Sequence, residues 1–460
     1  MTSGAVPPGT GPLLSPIGSV GLPLASLLTI AASLFVGFAN AETLGQYGVL
    51  SLALVAVGVS LVWVASWPRL GHHLVPEKYL RPALGLPFMC CILGAVWFRG
   101  GLYGKGSALS ISIALVTAAA IAALVFTVFR LSDAALASTV LLIGGACIAM
   151  VIASPAPRID VWGMFQAVAR GLMHGHNLYT QRWSPHLPGQ ATIYAYFPGA
   201  AVVLTAFYAL FGDVRVGLVL ALLASAILVR WISTNPNAAV FGSLFLLYPL
   251  LTFSVEQSWS EPLSLLVLLL LAWAVRSQRM GWAVAALAVL LTFQQYDLVF
   301  VPLTAAWSEF GIRRTAISVG LASACIAPWA LAAPHSFIEG TIMYNLQYRF
   351  AYQSLSVFHL LSGVSSAMGY LVLIVSVAVA LVVAMKRLYR GGSFLMECGL
   401  VLMTLDFVDK VSRFNEWELA AGLVLAAGSE ALGSSQVDKA QLRDRPPSSD
   451  GVAALGRQDG

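Results

Sequence analysis

Long apolar segments separated by short polar connectors follow one another along most of this chain. A helix needs roughly 20 mostly apolar residues to cross a bilayer, and about fourteen candidate segments can be counted. The one extended polar interruption runs from Arg158 to Pro198. The pattern predicts an all-α, polytopic bundle of transmembrane helices. The segments lie at about 17–39, 46–66, 83–98, 107–129, 133–154, 214–231, 238–255, 262–276, 281–295, 297–310, 315–333, 368–385, 393–409 and 417–433.

Composition supports an integral membrane protein. Hydrophobic residues make up 58% and charged residues only 10% of the 460 residues, and the mean hydropathy is +0.83. A soluble domain carries about a quarter charged residues. The net charge of +5 is scattered between apolar segments, so no nucleic-acid partner is predicted. The five cysteines lie in apolar runs without metal-ligand spacing and are interpreted as packing residues.

The distribution of basic residues predicts the orientation. Segment 199–211 is short for a span, and if it does not cross, most arginines between spans fall on one side. The polar loops then fall on the other side. The positive-inside rule therefore predicts a multi-pass plasma-membrane protein with both termini cytoplasmic and an outer loop over 156–213. The first span lacks a signal peptide's basic flank and should remain as an anchor, and the polar tail 434–460 should be disordered.

The outer loop should begin with an amphipathic helix. Apolar residues between Val161 and Leu172 recur every three or four positions, which is typical of a helix lying at the membrane surface. Gly175 should end that helix. Asp160 stands at its start, where a carboxylate can cap the helix or serve chemistry at the level of lipid headgroups. Tyr179 and Tyr196 fit either an aromatic belt or a platform for sugars.

Later connectors add further polar residues. Glu256 and Gln257, with Glu261, form a connector that either meets water or contacts a cation or sugar hydroxyl. The cluster from Gln294 to Asp297 interrupts an apolar segment, which indicates either a functional site or a hydrogen-bonded helix break. The remaining candidates are basic or amide side chains that suit an anionic ligand on the outer side: Arg349, Lys410, Arg413 and Asn415.

Together these residues resemble the glycosyltransferase C superfamily, in particular its actinobacterial mannosyl- and arabinofuranosyltransferase branch. That branch places an Asp just beyond a span, as Asp160 is placed here, followed by an amphipathic helix. A G-x-N-x-Y turn matches Gly175–Tyr179, which includes Asn177, and a Y-x-P stretch matches Tyr196–Pro198. The last outer loop pairs an aromatic residue with an Asn near basic residues, as Arg413–Glu416 does.

The resemblance implies a fold, an organisation and a reaction. The fold would have about 13–15 spans and an extracytoplasmic juxtamembrane helix, with additional helices over 1–132 and a catalytic module over 133–433. The protein would move mannose or arabinofuranose from a polyprenyl-phosphate donor to an envelope glycan or glycolipid at the bilayer surface. Asp160 would be the general base and the reaction would invert the anomeric carbon. No cofactor is required by the residues themselves, and a divalent cation, Mg²⁺ or Mn²⁺, stays open.

In the site that the resemblance implies, the other candidate residues would bind either the sugar or the phosphate. Tyr179 and Tyr196 would orient sugars, and Arg349, Lys410 or Arg413 would hold the phosphate. Two alternatives stay open. A ligase or polymerase of O-antigen type would depend on Arg349 and His359 rather than on Asp160. A lipid or sugar transporter is suggested by the interrupted apolar segment near Gln294.

Overall fold

The computed structural model describes residues 22–44, 47–67, 73–75, 77–98, 100–183, 192–235, 237–347, 354–412 and 414–443. Helices account for 79% of it, which confirms the predicted helical class. The two strands in the described part of the chain form a short antiparallel ladder. In this ladder β1 (Leu22–Pro23) pairs with β2 (Leu74–Val75).

A helix lies at every position where an apolar segment was predicted. The series of α-helices is interrupted by a 3₁₀ turn at Gln295–Val299 and by a π turn at Glu339–Met343. The helices are α1 (Leu24–Thr43), α2 (Val49–Ala65), α3 (Glu77–Trp97), α4 (Gly106–Val128), α5 (Ser132–Ala153), α6 (Asp160–Met173), α7 (Pro198–Phe211), α8 (Arg215–Ile232), α9 (Ala238–Leu246), α10 (Leu251–Gln257), α11 (Glu261–Arg276), α12 (Met280–Leu290), α13 (Phe300–Ala306), α14 (Gly311–Ala332), α15 (Pro334–Ile338), α16 (Tyr344–Gln347), α17 (Val357–Ser362), α18 (Ser366–Tyr389), α19 (Phe394–Val408) and α20 (Phe414–Arg443).

Six helices in the described part of the chain are long and apolar enough to cross a membrane: α1, α4, α5, α8, α14 and α18. Helices α9 and α10 form a seventh candidate together, bent by 51° at their junction. The predicted segments 281–295 and 297–310 are represented by α12 and α13, of 11 and 7 residues. The multi-pass helical architecture is therefore supported, whereas the count of 13–15 spans stays a prediction.

Helix α20 lies at the centre of the bundle and packs against α1, α9, α11 and α19. All nine residues of α9 are buried, as expected for a helix that is apolar on every side. Helices α14 and α18 instead expose large apolar side chains, for example Leu331 and Leu371. These exposed helices mark the periphery that a bilayer would contact.

Helix α1 of the predicted N-terminal region 1–132 contacts the predicted module 133–433 directly. Ser26 in α1 donates a hydrogen bond to the carbonyl of Gly428 in α20, at 2.8 Å. Asn40, near the other end of α1, donates to the Tyr248 hydroxyl and to the Phe414 carbonyl, each at 3.3 Å. Helix α1 therefore packs along the central helix of the predicted catalytic module.

Two of the basic residues that were predicted to share one side, Arg230 and Arg276, lie at one end of the bundle. Arg230 at the end of α8 pairs with Asp133 at the start of α5, at 2.8 Å. Arg276 at the end of α11 donates to the Ile232 carbonyl at 2.7 Å and pairs with Glu430 of α20. Helix α5 runs from this end over 22 residues, or about 33 Å, to the predicted polar loop. The two ends of α5 are thus separated by roughly the thickness of a hydrocarbon core.

The predicted amphipathic helix is present as α6. Val161, Phe165 and Val168 are buried on one side, whereas Arg170 is exposed on another. The helix ends before Gly175, whose φ of +76° is a left-handed conformation that favours glycine. Helix α7, which follows the loop, has 14 residues and spans about 21 Å. That length is short for a crossing helix, and the path of α7 relative to a membrane stays a prediction.

Candidate functional site

Four of the predicted site residues meet at one cavity of about 310 Å³. They are Asp160, Tyr196, Lys410 and Asn415. The walls come from the start of α6, the 195–196 segment, the α10–α11 junction, residues 294–296, Tyr344 and the α19–α20 connector. Residues that are far apart in the sequence therefore share one concave site.

Asp160 is held at the first turn of α6. The Val161 amide donates to its Oδ1 atom at 2.9 Å, and the side chain is half-buried at the cavity wall. The exposed amides and the dipole of a helix N-terminus favour a carboxylate at this position. The N-cap residue is Ile159 and no side chain caps the helix, so Asp160 lies in the first turn of α6 and not at the predicted N-cap, and it lines the cavity.

The aromatic residues of the loop have different roles. Tyr196 lines the cavity and its ring lies nearly parallel to that of Phe165, with centroids 6.1 Å apart and 12° between the planes. Tyr179 is buried, and its hydroxyl donates to the Tyr196 carbonyl at 2.9 Å. Burial raises the pKa of Tyr179 well above its ordinary value. Asn177 accepts the Tyr179 amide at 2.9 Å. Tyr179 and Asn177 therefore shape the loop beneath Tyr196 and do not line the cavity.

The α10–α11 junction brings Glu261 to the cavity. Ser258 adopts a φ of +63°, a left-handed conformation that is unfavourable for a non-glycine residue, and the chain turns sharply there. Glu261 begins α11 and is buried. Its Oε1 atom accepts hydrogen bonds from Asn415 Nδ2 at 2.6 Å, Gln294 Nε2 at 3.3 Å and the Tyr296 hydroxyl at 3.4 Å. Gln294, which interrupts the apolar segment, is thus hydrogen-bonded to Glu261 and belongs to the cavity wall.

The α19–α20 connector supplies a cation and further carboxylates. The Lys410 amide donates to Asp409 Oδ1 at 2.7 Å, and both residues line the cavity. Burial raises the pKa of Asp409 to about 6, against the lowering effects of the Lys410 amide and ammonium group. Lys410 is the one Lys or Arg on the wall within the described ranges, where it faces Asp160, Glu261, Asp409 and Glu416.

Glu256 and Gln257 lie outside the cavity lining, in contrast to their predicted role as substrate ligands. The Glu256 carboxylate accepts the backbone amides of Leu102 at 2.6 Å, Tyr103 at 2.9 Å and Gly104 at 2.7 Å. Gln257 donates to the same carboxylate at 3.1 Å. Glu256 therefore holds the connector between α3 and α4 in place.

This held connector lies beside the start of α6. The Tyr103 hydroxyl donates to the carbonyl of Arg158 at 3.1 Å. Burial raises the pKa of Tyr103, and the carboxylates of Glu256 and Asp160 raise it further, while Arg158 lowers it. The N-terminal helices thus contribute a residue close to Asp160, which sequence reasoning did not anticipate.

The segment after α14 closes another side of the cavity. Gln295 Nε2 donates to the Ala195 carbonyl at 2.9 Å and to the Thr341 carbonyl at 3.0 Å. Arg182 and Glu339 form an exposed ion pair, 2.7 Å apart, between the same two loops. These contacts join the loop after Asp160 to the segment that carries Tyr344. The two remaining predicted phosphate ligands, Arg349 and Arg413, lie outside the described residues.

The described part of the chain contains no group of three or more His, Cys, Asp or Glu side chains placed to hold a metal ion. The carboxylates on the cavity wall accept hydrogen bonds from backbone amides or from amide and hydroxyl side chains. Because Mg²⁺ is often held by one or two carboxylates together with a substrate phosphate, the divalent cation stays a prediction.

The site combines a half-buried carboxylate, which can accept a proton, with a cation that can bind an anion. Its aromatic rings and hydrogen-bonded polar wall can contact a polar ring-shaped ligand. No protein-family model, curated protein or solved structure matches the chain. A function for the protein therefore has to be argued from these residues.

Proposed function

We propose that this protein is a membrane glycosyltransferase that uses a polyprenyl-phosphate sugar, in the manner of the glycosyltransferase C superfamily. The observation that supports this most is the meeting of Asp160, Tyr196, Lys410 and Asn415 at one cavity. A carboxylate and a cation on one wall suit a reaction in which a hydroxyl loses a proton and a phosphate leaves. The sugar would be of the mannose or arabinofuranose class, and the acceptor an envelope glycan or glycolipid.

In the proposed reaction, the acceptor oxygen attacks the anomeric carbon of the donor sugar. Asp160 accepts the hydroxyl proton as the new glycosidic bond forms. The bond between the anomeric carbon and the phosphate oxygen breaks, and polyprenyl phosphate leaves with the electron pair. Lys410 stabilises that phosphate by a charge-assisted hydrogen bond. A single displacement of this kind inverts the anomeric carbon.

The donor is an amphiphile, which fits a site beside a bilayer. The lipid tail would stay among the helices, while the phosphate and sugar enter the cavity at the end of α5 that lies opposite Asp133. We assign that end to the outer face of the plasma membrane, because the basic residues near Arg230 and Arg276 gather at the other end.

A transporter remains the second candidate, favoured by one observation. Helices α9 and α10 are bent by 51°, and broken helices often surround transport sites. The ligase alternative has less support, because His359 packs on the ring of Tyr47 and does not line the cavity. Sugar transfer to a new covalent product would distinguish an enzyme from a transporter.

The test uses purified full-length protein in lipid vesicles with polyprenyl-phosphate mannose or arabinofuranose and a short oligosaccharide acceptor. Wild-type protein should form a new glycosidic bond of inverted configuration. Asp160→Asn should lower the rate by about 10²- to 10⁴-fold, the usual contribution of a general base. The matched control is Asp133→Asn, at the opposite end of α5 and 67% exposed, which should keep its activity. Absence of transfer from both donors, or an unaffected Asp160→Asn variant, would overturn the proposal.

A further inference from the structure

Two buried oxygen atoms on the cavity wall accept no hydrogen bond from the residues that the structure describes. They are Oε2 of Glu261 and Oδ1 of Asn415. The two residues are 4% and 8% exposed, and both line the cavity. A buried acceptor that stays unsatisfied destabilises the protein, and more so when it is charged. A pair of such atoms at one cavity indicates that a ligand supplies the donors.

The two side chains are rigidly paired with each other. Asn415 Nδ2 donates to Glu261 Oε1 at 2.6 Å, so the remaining oxygens, Glu261 Oε2 and Asn415 Oδ1, belong to two side chains in direct contact. Gln294 and Tyr296 also donate to Oε1, while Gln294 donates in addition to Ser260 Oγ at 2.6 Å. The three side-chain donors that the described residues bring to Glu261 are thus used on Oε1. Glu261 Oε2 and Asn415 Oδ1 accept no hydrogen bond from the described residues, and the bond between the two side chains keeps these oxygens near each other.

An aromatic ring completes the same wall. Trp259 lines the cavity two residues before Glu261, and its ring is stacked on Phe414 with centroids 5.8 Å apart and 24° between the planes. Phe414 directly precedes Asn415 in the chain. An indole face beside fixed hydrogen-bond acceptors suits a molecule with an apolar ring face and hydroxyl groups at its edge.

We infer that Glu261, Asn415 and Trp259 form a subsite for the sugar ring, in which Glu261 Oε2 and Asn415 Oδ1 each accept a bond from a sugar hydroxyl. This inference deepens the proposed function and rests on it for the class of ligand. The subsite determines which sugar is accepted. A sugar that lacks the matching hydroxyl leaves a buried oxygen without a donor and is rejected.

The effect of Glu261→Gln follows from the local bonding. Three donors converge on the Oε1 position, so the carbonyl oxygen of a glutamine would have to remain there. Its NH₂ group would then take the position of Oε2. The substitution replaces the acceptor with a donor while it keeps the size of the side chain. Asn415→Leu removes the second acceptor at nearly the same volume.

The experiment measures binding in the Asp160→Asn background, where turnover does not interfere. The probes are short-chain polyprenyl-phosphate mannose and arabinofuranose and the monodeoxy derivatives of each, titrated by calorimetry into protein in lipid nanodiscs. The matched control is Glu397→Gln, a buried glutamate 12 residues before Asp409, or about 18 Å along α19. Thermal unfolding of each variant checks that the bundle is intact.

With the acceptors intact, at least one monodeoxy sugar should bind about 10- to 100-fold more weakly than its parent, as expected for a bond to a buried charged group. This penalty should fall to within about 3-fold in Glu261→Gln or Asn415→Leu and persist in Glu397→Gln. Equal penalties in all variants, no penalty for any derivative, or no binding of either parent sugar would overturn the subsite. Specific sugar binding without transfer by wild-type protein would instead overturn the proposed enzyme and leave the subsite standing.

Discussion

At the scale of single residues, the proposed chemistry depends most on the charge of Lys410. Among the described residues it provides the ammonium or guanidinium group on a wall that also carries Asp160, Glu261, Asp409 and Glu416. Lys410→Met should raise the KM for a polyprenyl-phosphate donor by about 10- to 100-fold, because a charge-assisted bond to the phosphate is lost. Steady-state kinetics with varied donor concentration measures this change.

The arginine variant separates charge from size at this position. Lys410→Arg keeps the positive charge and should retain most of the donor affinity. The acceptor KM should change less than the donor KM in Lys410→Met. Equal donor KM values for wild type and Lys410→Met would show that the phosphate binds elsewhere.

Asp409 predicts a dependence of stability on pH. Burial raises the pKa of its carboxyl from 3.8 to about 6, so the folded protein holds the proton more tightly than the unfolded chain does. The resulting contribution to stability is complete below pH 3.8 and is lost as the pH rises through about 6. Asp409 is half-buried, and the contribution is on the order of 2 kcal/mol.

The measurement is thermal unfolding of the purified protein in detergent between about pH 4 and pH 7.5, the range that brackets both pKa values. Asp409→Asn should flatten the fall in unfolding temperature that wild-type protein shows across this range. Asp133→Asn, a change of the same type at an exposed position, should leave the wild-type profile intact. A profile that is identical for wild type and Asp409→Asn would contradict the assignment.

Single residues also show what the sequence can and cannot predict. Lys410 was predicted to be a site residue because a basic side chain on the outer side suits an anionic ligand, and Asp160 because a carboxylate just beyond an apolar span lies at the level of lipid headgroups; both line the cavity. Glu256 carries the same signal, yet its carboxylate is bonded to three backbone amides of a distant connector. Glu261 lies in the same connector but was not predicted to be a site residue. Only the tertiary fold distinguishes these two glutamates, because the sequence does not reveal which backbone amides a carboxylate meets.

At the scale of elements, the connector between α3 and α4 depends on Glu256. Glu256→Gln keeps the size of the side chain but exchanges one acceptor oxygen for a donor that faces backbone amides. We expect a loss of about 2 kcal/mol in the free energy of unfolding, the scale of hydrogen bonds to a charged group. Thermal or denaturant unfolding in detergent measures the loss.

Glu339→Gln is the matched control for that element. Glu339 pairs with Arg182, but the two side chains are 43% and 44% exposed, and exposed ion pairs contribute little. Its substitution should change the free energy of unfolding by less than about 0.5 kcal/mol. Similar effects of the two substitutions would show that the Glu256 connector is not held by the buried carboxylate.

The apolar pattern predicted the positions of the helices well where an apolar segment was long and uninterrupted. Segments 107–129 and 133–154 correspond closely to α4 and α5. The prediction was less accurate around residues 281–310, where two spans were expected and short helices flank a polar 3₁₀ turn. Hydropathy averages over a window and does not register that α12 ends at Leu290 or that Gln294 and Gln295 bond to neighbouring elements.

At the scale of the whole molecule, the N-terminal helices are part of the site's framework. Helix α1 packs along α20, and the α3–α4 connector reaches the start of α6 through Tyr103. This region was predicted to be additional to the catalytic module, because packing between distant segments leaves no pattern in one sequence. The structure also gathers Asp133 and Arg230 at one end of the bundle and Asp160 at the other.

This separation makes the orientation testable with single cysteines. The starting protein is Cys325→Ser, because Cys325 is the exposed native cysteine among the five. Glu339→Cys and Asp133→Cys are then introduced separately at positions that are 43% and 67% exposed at their side chains. Intact cells are treated with a membrane-impermeant maleimide.

Because α5 carries the chain about 33 Å from Asp133 to the cavity end, the two positions should lie on opposite sides of the membrane. The positive-inside rule places the arginine-rich end in the cytoplasm, so Glu339→Cys should be labelled in intact cells and Asp133→Cys only after permeabilisation. The reverse pattern would place the proposed site at the cytoplasmic face, and labelling of both positions in intact cells would show that α5 does not cross.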